Sequence, residues 1–287
     1  MSTLRYALFT GCTARESTPE QMKSTMAVAD KLGIELEVLN EASCCGASHL
    51  QDYDEFLSLV LNARNICYAE SRGMTMVTIC NTCQLNTVMT KHKLDSDPAM
   101  KAKVNEKLAE VGLEYKGTSD IKHFLYAIID DFGLDTLKAK IVAPLSKFNI
   151  APFYGCHNLR PSELGEGDNA YNPTSLDDLI AACGGKSVDY EEKNKCCGFH
   201  AELQAPRTAA LLTGKVIAGA MDGNADWMVT PCPLCHLKLD TQHEHASEAI
   251  GREVALPVLH MQQMVGLALG CSAEEVGLQH HVTEVPV

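Results

Sequence analysis

The feature that most constrains this chain is an internal duplication marked by cysteines. A Cys-Cys-Gly triplet occurs at residues 44–46 and again at residues 196–198. A Cys-x-x-Cys pair follows each triplet, and both elements repeat at a constant offset of 152 residues. A single cysteine precedes each triplet, Cys12 in one case and Cys156 in the other, at an offset of 144 residues. Such register indicates that the sequence consists of two related halves.

The segments around the cysteines support the duplication. RYALFTGC in the first half resembles NIAPFYGC in the second, and VTICNTCQL resembles VTPCPLCHL. We therefore predict an N-terminal repeat over residues 1–145 and a C-terminal repeat over residues 146–287. The cysteines in register are Cys12, Cys44, Cys45, Cys80, Cys83, Cys156, Cys196, Cys197, Cys232 and Cys235.

Short apolar segments alternate with helical patterns in both halves. One predicted helix has Thr18 as its N-cap, Pro19 at its first position and Gly33 at its end, and a later one is predicted to begin at Cys83. This alternation predicts an α/β fold with two pseudo-symmetric, duplicated halves, each built on a parallel sheet. Sites in such folds collect beyond the carboxyl ends of the strands, where every predicted strand runs into a cysteine. We therefore expect the five thiols of each half to converge on one site.

The composition narrows the classes of function. Thirteen cysteines without an export signal in MSTLRYALFTGC indicate a cytoplasmic protein whose thiols serve metal or redox chemistry. The net charge of −13 argues against a nucleic-acid partner. No apolar run approaches the roughly 18 residues of a membrane-spanning helix. Phosphate-binding and dinucleotide fingerprints are not found, so we expect electrons to be exchanged with a partner protein.

Several interpretations of the cysteines remain open at this point. Zinc takes four ligands in a structural site, and an ordinary cubane cluster also uses four cysteines, so each leaves one cysteine over in each half. A thioredoxin-type motif would leave the Cys-Cys pairs unexplained. We interpret Cys67 and Cys183, which lie in predicted helices, as small buried side chains. The histidine pairs of HEHASEAIGRE and LQHHV are predicted to be exposed surface residues.

The repeated pattern resembles the cysteine-rich CCG domain in its complete, duplicated form, and the chain is similar to the B subunit of heterodisulfide reductase. The segments GCHNLRPSEL, EYKGTSDIKHF and PVLHMQQMVGLALG contribute to this resemblance. The resemblance implies that each half binds one noncubane [4Fe-4S] cluster through all five of its cysteines. The implied ligands are Cys12, Cys44, Cys45, Cys80 and Cys83 in the first half and Cys156, Cys196, Cys197, Cys232 and Cys235 in the second.

The resemblance also implies an activity, namely a disulfide/thiol oxidoreductase in a heterodisulfide-reductase-type complex. A disulfide such as that of coenzymes M and B would be cleaved, or formed, between the two clusters. His157 is the implied proton donor, and Thr13 stands at the corresponding position of the first half. The implied partners are an iron–sulfur C subunit and a flavin-bearing A subunit.

Two other functions stay open. Similar B subunits occur in sulfur-oxidising organisms, where the complex acts on a protein-bound sulfur carrier of the lipoate type. The other function is that of a non-catalytic subunit, either an electron-transfer protein or a zinc-binding scaffold. Metal and sulfide analysis separates the zinc scaffold from the iron–sulfur interpretations.

Overall fold

The first half contains a four-stranded parallel sheet whose strands are connected by helices. The computed structural model describes residues 3–47, 49–165 and 167–287. The strand order in this sheet is β2-β1-β3-β4, with all pairs parallel. The elements are β1 (Arg5–Phe9), α1 (Thr13–Glu16), α2 (Pro19–Leu32), β2 (Glu35–Val38), α3 (His49–Tyr53), α4 (Glu55–Ser71), β3 (Met76–Thr78), α5 (Asn81–Ser96), α6 (Pro98–Ala109) and β4 (Ile121–His123).

The second half repeats this sheet. A connecting segment leads to it through α7 (Phe124–Tyr126), a π-helical stretch (Ala127–Gly133) and α8 (Leu134–Lys140). The elements that follow are β5 (Asn149–Pro152), α9 (Ser175–Ala182), β6 (Lys186–Ser187), α10 (Pro206–Asp222), β7 (Trp227–Thr230), α11 (Pro233–Thr241), α12 (His243–Ile250), β8 (Val258–His260) and α13 (Met261–Ala268). The strand order β6-β5-β7-β8, again parallel, matches that of the first sheet. The predicted α/β fold with two parallel-sheet halves is confirmed.

The ends of the predicted helices are mostly where the sequence placed them. Helix α2 has Thr18 at its N-cap and ends at Gly33, whose φ of +73° is left-handed and therefore suits a residue without a Cβ. Two expectations are wrong. Helix α5 does not begin at Cys83, because the chain leaves β3 extended through Cys80 and turns directly into the helix. Cys183 is the C-cap of α9 and not an interior residue, because left-handed Gly184 follows it.

The two halves pack as one body. Helix α8 packs against α9, and α13 of the second half packs against α2 of the first. One buried hydrophobic cluster contains Leu8 and Phe124 from the first half together with Ile150 and Leu259 from the second. The division at residues 145 and 146 therefore remains a proposal about sequence repeats. Among the described residues, no helix combines the length and the apolar character needed to cross a bilayer.

Candidate metal centre

The cysteines of each half follow the carboxyl ends of three adjacent strands. Cys12 follows β1, the pair Cys44 and Cys45 follows β2, and Cys80 follows β3. Because parallel neighbours end at the same edge of a sheet, these thiols meet there. The cysteines of the second half follow β5, β6 and β7 in the same way.

The five thiols of the first half form a continuous series of contacts. Sγ of Cys12 lies 3.4 Å from Sγ of Cys44, and Sγ of Cys45 lies 3.4 Å from Sγ of Cys83. The thiols of Cys44 and Cys45, and those of Cys83 and Cys80, also interact closely enough to shift the pKa of their neighbour. All five members of this series therefore come from one repeat.

The second half repeats the series with equivalent residues. Thiol contacts join neighbours in the order Cys156, Cys196, Cys197, Cys235 and Cys232. One further contact, between the thiols of Cys80 and Cys232, joins the two series. The two groups of five sulfurs, which we call the N-terminal and C-terminal thiol groups, therefore touch where the repeats meet.

Crowding of these sulfurs shifts their protonation. The pKa of Cys45 lies well below its usual value because its sulfur accepts hydrogen bonds from Cys44 and Cys83. In the second half, hydrogen bonds from Cys156 and Cys197 lower the pKa of Cys196 to about 2. Thiolates are the form in which cysteine binds metals, so each group already contains a sulfur suited to that role.

The two thiol groups present the same members toward the surface. Cys12 is exposed and Cys44 is half-buried, and their equivalents Cys156 and Cys196 are half-buried. The buried members are Cys45, Cys80, Cys83, Cys197, Cys232 and Cys235. A molecule that approaches either group would therefore meet the first cysteine and the first member of the Cys-Cys pair.

Glycines before the first cysteine of each half make room for the sulfurs. Gly11 has a φ of +70°, and a Cβ there would lie 2.8 Å from Sγ of Cys83. Gly155 has a φ of +71°, and its Cβ would lie 3.1 Å from Sγ of Cys235. These glycines let the backbone approach the sulfurs closely.

Polar side chains that sequence reasoning missed hold the Cys-Cys pairs in place. The amides of Asn62 and Asn86 donate hydrogen bonds to the carbonyl oxygen of Cys45 at 3.0 and 3.2 Å. The hydroxyl of Thr213 donates to the carbonyl oxygen of Cys197 at 2.9 Å. Asn62 is a polar residue within the mainly apolar pattern of α4, and this pattern could have indicated that its side chain supports the Cys-Cys pair.

Imidazole rings of the second repeat contact the first Cys-x-x-Cys motif. Thr82, from the first Cys-x-x-Cys motif, has its Oγ1 at 3.0 Å from Nδ1 of His157 and 3.4 Å from Nε2 of His200. The rings of His157 and His200 stack with their centroids 4.7 Å apart, and His49 lies 5.4 Å from His200. Burial lowers the pKa of both His157 and His200. His200 was missed, although its place two residues after a Cys-Cys-Gly triplet was a signal.

The three cysteines outside the repeated motifs are buried in the protein core. Cys67 in α4 and Cys183 are buried as predicted, and burial raises the pKa of each thiol to about 12. Cys271 is buried as well. These three side chains therefore remain protonated members of the core.

The prediction of exposed histidines near the C-terminus is partly wrong. His245 and His280 are exposed, but only 1% of the His281 side chain is accessible. The segment after the 3₁₀ turn Leu278–His280 folds back onto α11, and this contact covers the ring.

A known protein family matches this chain twice, once in each repeat. Residues 6–87 and 150–240 match the family described as a cysteine-rich domain, CCG. The 8-methylmenaquinol:fumarate reductase membrane anchor subunit of Wolinella succinogenes is 39% identical over 97% of this chain and 97% of its own length. The B subunit of the ferredoxin/F(420)H(2)-dependent CoB-CoM heterodisulfide reductase of Methanosarcina acetivorans is 34% identical over 98% of this chain and 94% of its own.

A solved structure has the same fold. The crystal structure of a hypothetical protein from Helicobacter pylori superposes with a TM-score of 0.82 at 18% sequence identity. The match covers 98% of this chain and 52% of that chain, so this chain spans about half of that protein's length.

Proposed function

This chain belongs to the family of proteins with a duplicated cysteine-rich CCG domain, which includes heterodisulfide reductase B subunits, and from that premise we propose that it is the subunit in which a disulfide is cleaved or formed. The observation that carries the proposal is the meeting of two equivalent thiol groups at Cys80 and Cys232. Two matched redox centres suit a two-electron reaction on a nearly symmetric S–S bond.

We propose that the two thiol groups hold two [4Fe-4S] clusters of the noncubane type, one in each repeat. Five thiols exceed the four ligands of tetrahedral zinc or of a cubane cluster, and thiolates are the ligands of iron–sulfur clusters. The space kept open by Gly11 and Gly155 supports this fit. The proposed ligands are the ten cysteines in register. When bound, the clusters supply electrons and Lewis-acidic iron beside the substrate sulfurs.

His157 is the proposed proton donor to the leaving thiolate. Its Nδ1 is held by the hydroxyl of Thr82, and its face is covered by the ring of His200. A ring held at Nδ1 exchanges protons through Nε2. The direct neighbour Cys156 places this ring beside the half-buried, accessible part of the C-terminal thiol group.

The proposed substrate is a small disulfide of the kind named for the Methanosarcina relatives, or a carrier-bound sulfur. The proposed partners are an iron–sulfur C subunit and a flavin-bearing A subunit, which would exchange electrons with the clusters. We also propose a cytoplasmic location, because thiols bind metals only when they are kept reduced.

A second candidate is an electron-transfer subunit of a fumarate-reductase complex. The observation that favours it is the 39% identity to the Wolinella subunit. The two candidates share the clusters and differ in whether a disulfide reacts on this chain.

Chemical analysis of anaerobically purified protein tests the cofactor. We expect about eight iron and about eight sulfide per chain, because each of the two proposed [4Fe-4S] clusters contains four of each. Two zinc ions without sulfide would identify a zinc scaffold instead. Reoxidation of reduced viologen dye by the disulfide of coenzymes M and B then tests the reaction. Full clusters with no turnover on any small disulfide would favour the electron-transfer candidate.

The Gly11→Ala variant tests the close approach of the backbone to a sulfur. The added Cβ would displace Sγ of Cys83, so we expect loss of the cluster in the N-terminal repeat and about half of the iron. Gly33→Ala is the matched control, because Gly33 has a similar φ of +73° but no atom of any described residue lies within 4 Å of the added Cβ. It should cost about 1–2 kcal/mol of stability and keep all the iron. Equal iron in the two variants would contradict the packing argument.

A further inference from the structure

A second group of ligand-type side chains lies on the helix that carries Cys235. His236 and Asp240 are four residues apart on α11 and therefore share one face of it. His281, from the C-terminal segment, meets them there, and one ligand atom from each of the three residues lies within 4.8 Å of the others. His236 is 3% exposed, and the side chains of Asp240 and His281 are each 1% exposed. We call these three residues the His-Asp-His group.

Four polar side-chain atoms of the His-Asp-His group lack hydrogen-bond partners among the described residues. These buried atoms, unpaired within the part of the chain that the structure describes, are both ring nitrogens of His236, Oδ1 of Asp240 and Nδ1 of His281. The His281 Nδ1 to Asp240 Oδ1 distance of 3.9 Å is too long for a hydrogen bond. Buried nitrogen and oxygen atoms without partners are rare in folded proteins, and three such side chains with a ligand atom of each within 4.8 Å of the others indicate a bound group.

The orientation of the Gln263 amide identifies which ring nitrogen of His281 carries a hydrogen. The side-chain amide of Gln263 donates to the carbonyl oxygen of Val276 at 3.0 Å, and its Oε1 accepts the backbone N–H of His260 at 2.9 Å. These two bonds fix which amide atom is oxygen. Nε2 of His281, 2.9 Å from that oxygen, must therefore be the protonated nitrogen. In the tautomer with its only hydrogen on Nε2, the ring directs the lone pair of Nδ1 toward the carboxylate of Asp240.

Two lone pairs that face each other repel unless a proton or a metal ion lies between them, and the separation of 3.9 Å is too long for a shared proton. Oδ2 of Asp240 accepts the backbone N–H of Val282 at 3.0 Å, which orients Oδ1 toward His281. A histidine that donates its distal N–H to an amide oxygen, beside a carboxylate that is itself hydrogen-bonded, is the arrangement found around metal ligands.

We propose that His236, Asp240 and His281 bind one divalent cation of the zinc class. Two imidazole nitrogens and one carboxylate oxygen form a donor set that binds zinc more tightly than magnesium or calcium. A water molecule would complete the tetrahedral coordination. The buried carboxyl group of Glu20 lies 3.2 Å from Nε2 of His260, and one of its oxygens lies within 4.8 Å of a ring nitrogen of His236.

The site would belong to the second repeat alone. At the offset of 152 residues, Gln84 and Val88 occupy the positions of His236 and Asp240. A cation held here would fasten the C-terminal segment to α11, directly beyond the Cys-x-x-Cys motif of the C-terminal thiol group. Its role would therefore be to hold that helix in place, and it does not depend on the proposed disulfide chemistry.

Zinc analysis of the full chain, purified with its clusters and equilibrated with zinc salt, tests the proposal. We expect about one zinc per chain, with an X-ray absorption spectrum of nitrogen and oxygen neighbours at about 2.0 Å and no sulfur shell. Asp240→Asn preserves the shape of the side chain and should lose the zinc while keeping its iron. His280→Gln, which changes an exposed neighbour, is the control and should keep both metals.

Three results would overturn the proposal. A sulfur shell would place the zinc in a cysteine motif, and undiminished zinc in Asp240→Asn would place it elsewhere. Zinc far below one per chain in the wild-type protein would show that no ion binds, whether or not the variants fold. A wild-type protein that binds zinc but turns over no disulfide would count against the proposed function and leave the proposal of this zinc site unaffected.

Discussion

Cys196→Ser is expected to leave about four iron atoms per chain in place of about eight, and to abolish disulfide turnover. The sulfur of Cys196 accepts hydrogen bonds from Cys156 and Cys197, and its lowered pKa makes it one of the two readily ionised thiols of its half, together with Cys232. A serine hydroxyl stays protonated and cannot replace it. Because the C-terminal thiol group is contained in one repeat, the N-terminal cluster should still assemble. Iron and sulfide analysis with electron paramagnetic resonance measures both effects.

The equivalent Cys44→Ser should remove the other cluster. Cys183→Ser is the matched control, because this buried cysteine lies outside the motifs and should keep all the iron. Loss of both clusters from either motif variant would contradict separate ligand sets. The contact between Cys80 and Cys232 is where ligands shared between the repeats would then have to lie.

His157→Gln should retain both clusters and slow turnover by roughly 10²–10⁴-fold, which is the usual contribution of a general acid. Glutamine keeps a polar side chain next to Cys156 but supplies no titrating proton. Protonated imidazole is lost as pH rises through its pKa, which burial lowers here, so the wild-type rate should fall with rising pH. The variant should lose that dependence. Steady-state rates across pH, with iron content measured alongside, test this.

Thr82→Val separates positioning from proton transfer. It removes the hydroxyl that holds Nδ1 of His157, so we expect a loss of about ten-fold or more with the histidine pH profile retained. An active His157→Gln enzyme with an unchanged pH profile would exclude the catalytic role. Loss of iron in that variant would instead assign His157 to the support of the cluster ligands.

The cysteine groups were predictable because their geometry follows from topology. Strands that end in cysteines and alternate with helices must form parallel sheets whose carboxyl ends meet, so five distant thiols converge. The ends of α2 were equally predictable, because Pro19 and Gly33 act locally. The start of α5 was not, because the extended conformation of Cys80 depends on the sheet before it.

The histidines show the limit of sequence patterns. His281 looked like a surface residue within LQHHV, and its burial depends on how the C-terminal segment meets α11. The sequence did not identify His200 as a site residue, because its contact with Thr82 joins residues 118 positions apart.

The sequence by itself determined the duplication, the α/β order of elements and the cysteines that meet in each repeat, because spacing and periodicity are local properties of the chain. Only the tertiary structure decided that the two thiol groups touch at Cys80 and Cys232, and that His157 meets Thr82 across 75 residues. It alone assembled the His-Asp-His group. The physical reason is that such contacts depend on how whole sheets and helices pack, which no short stretch of sequence encodes.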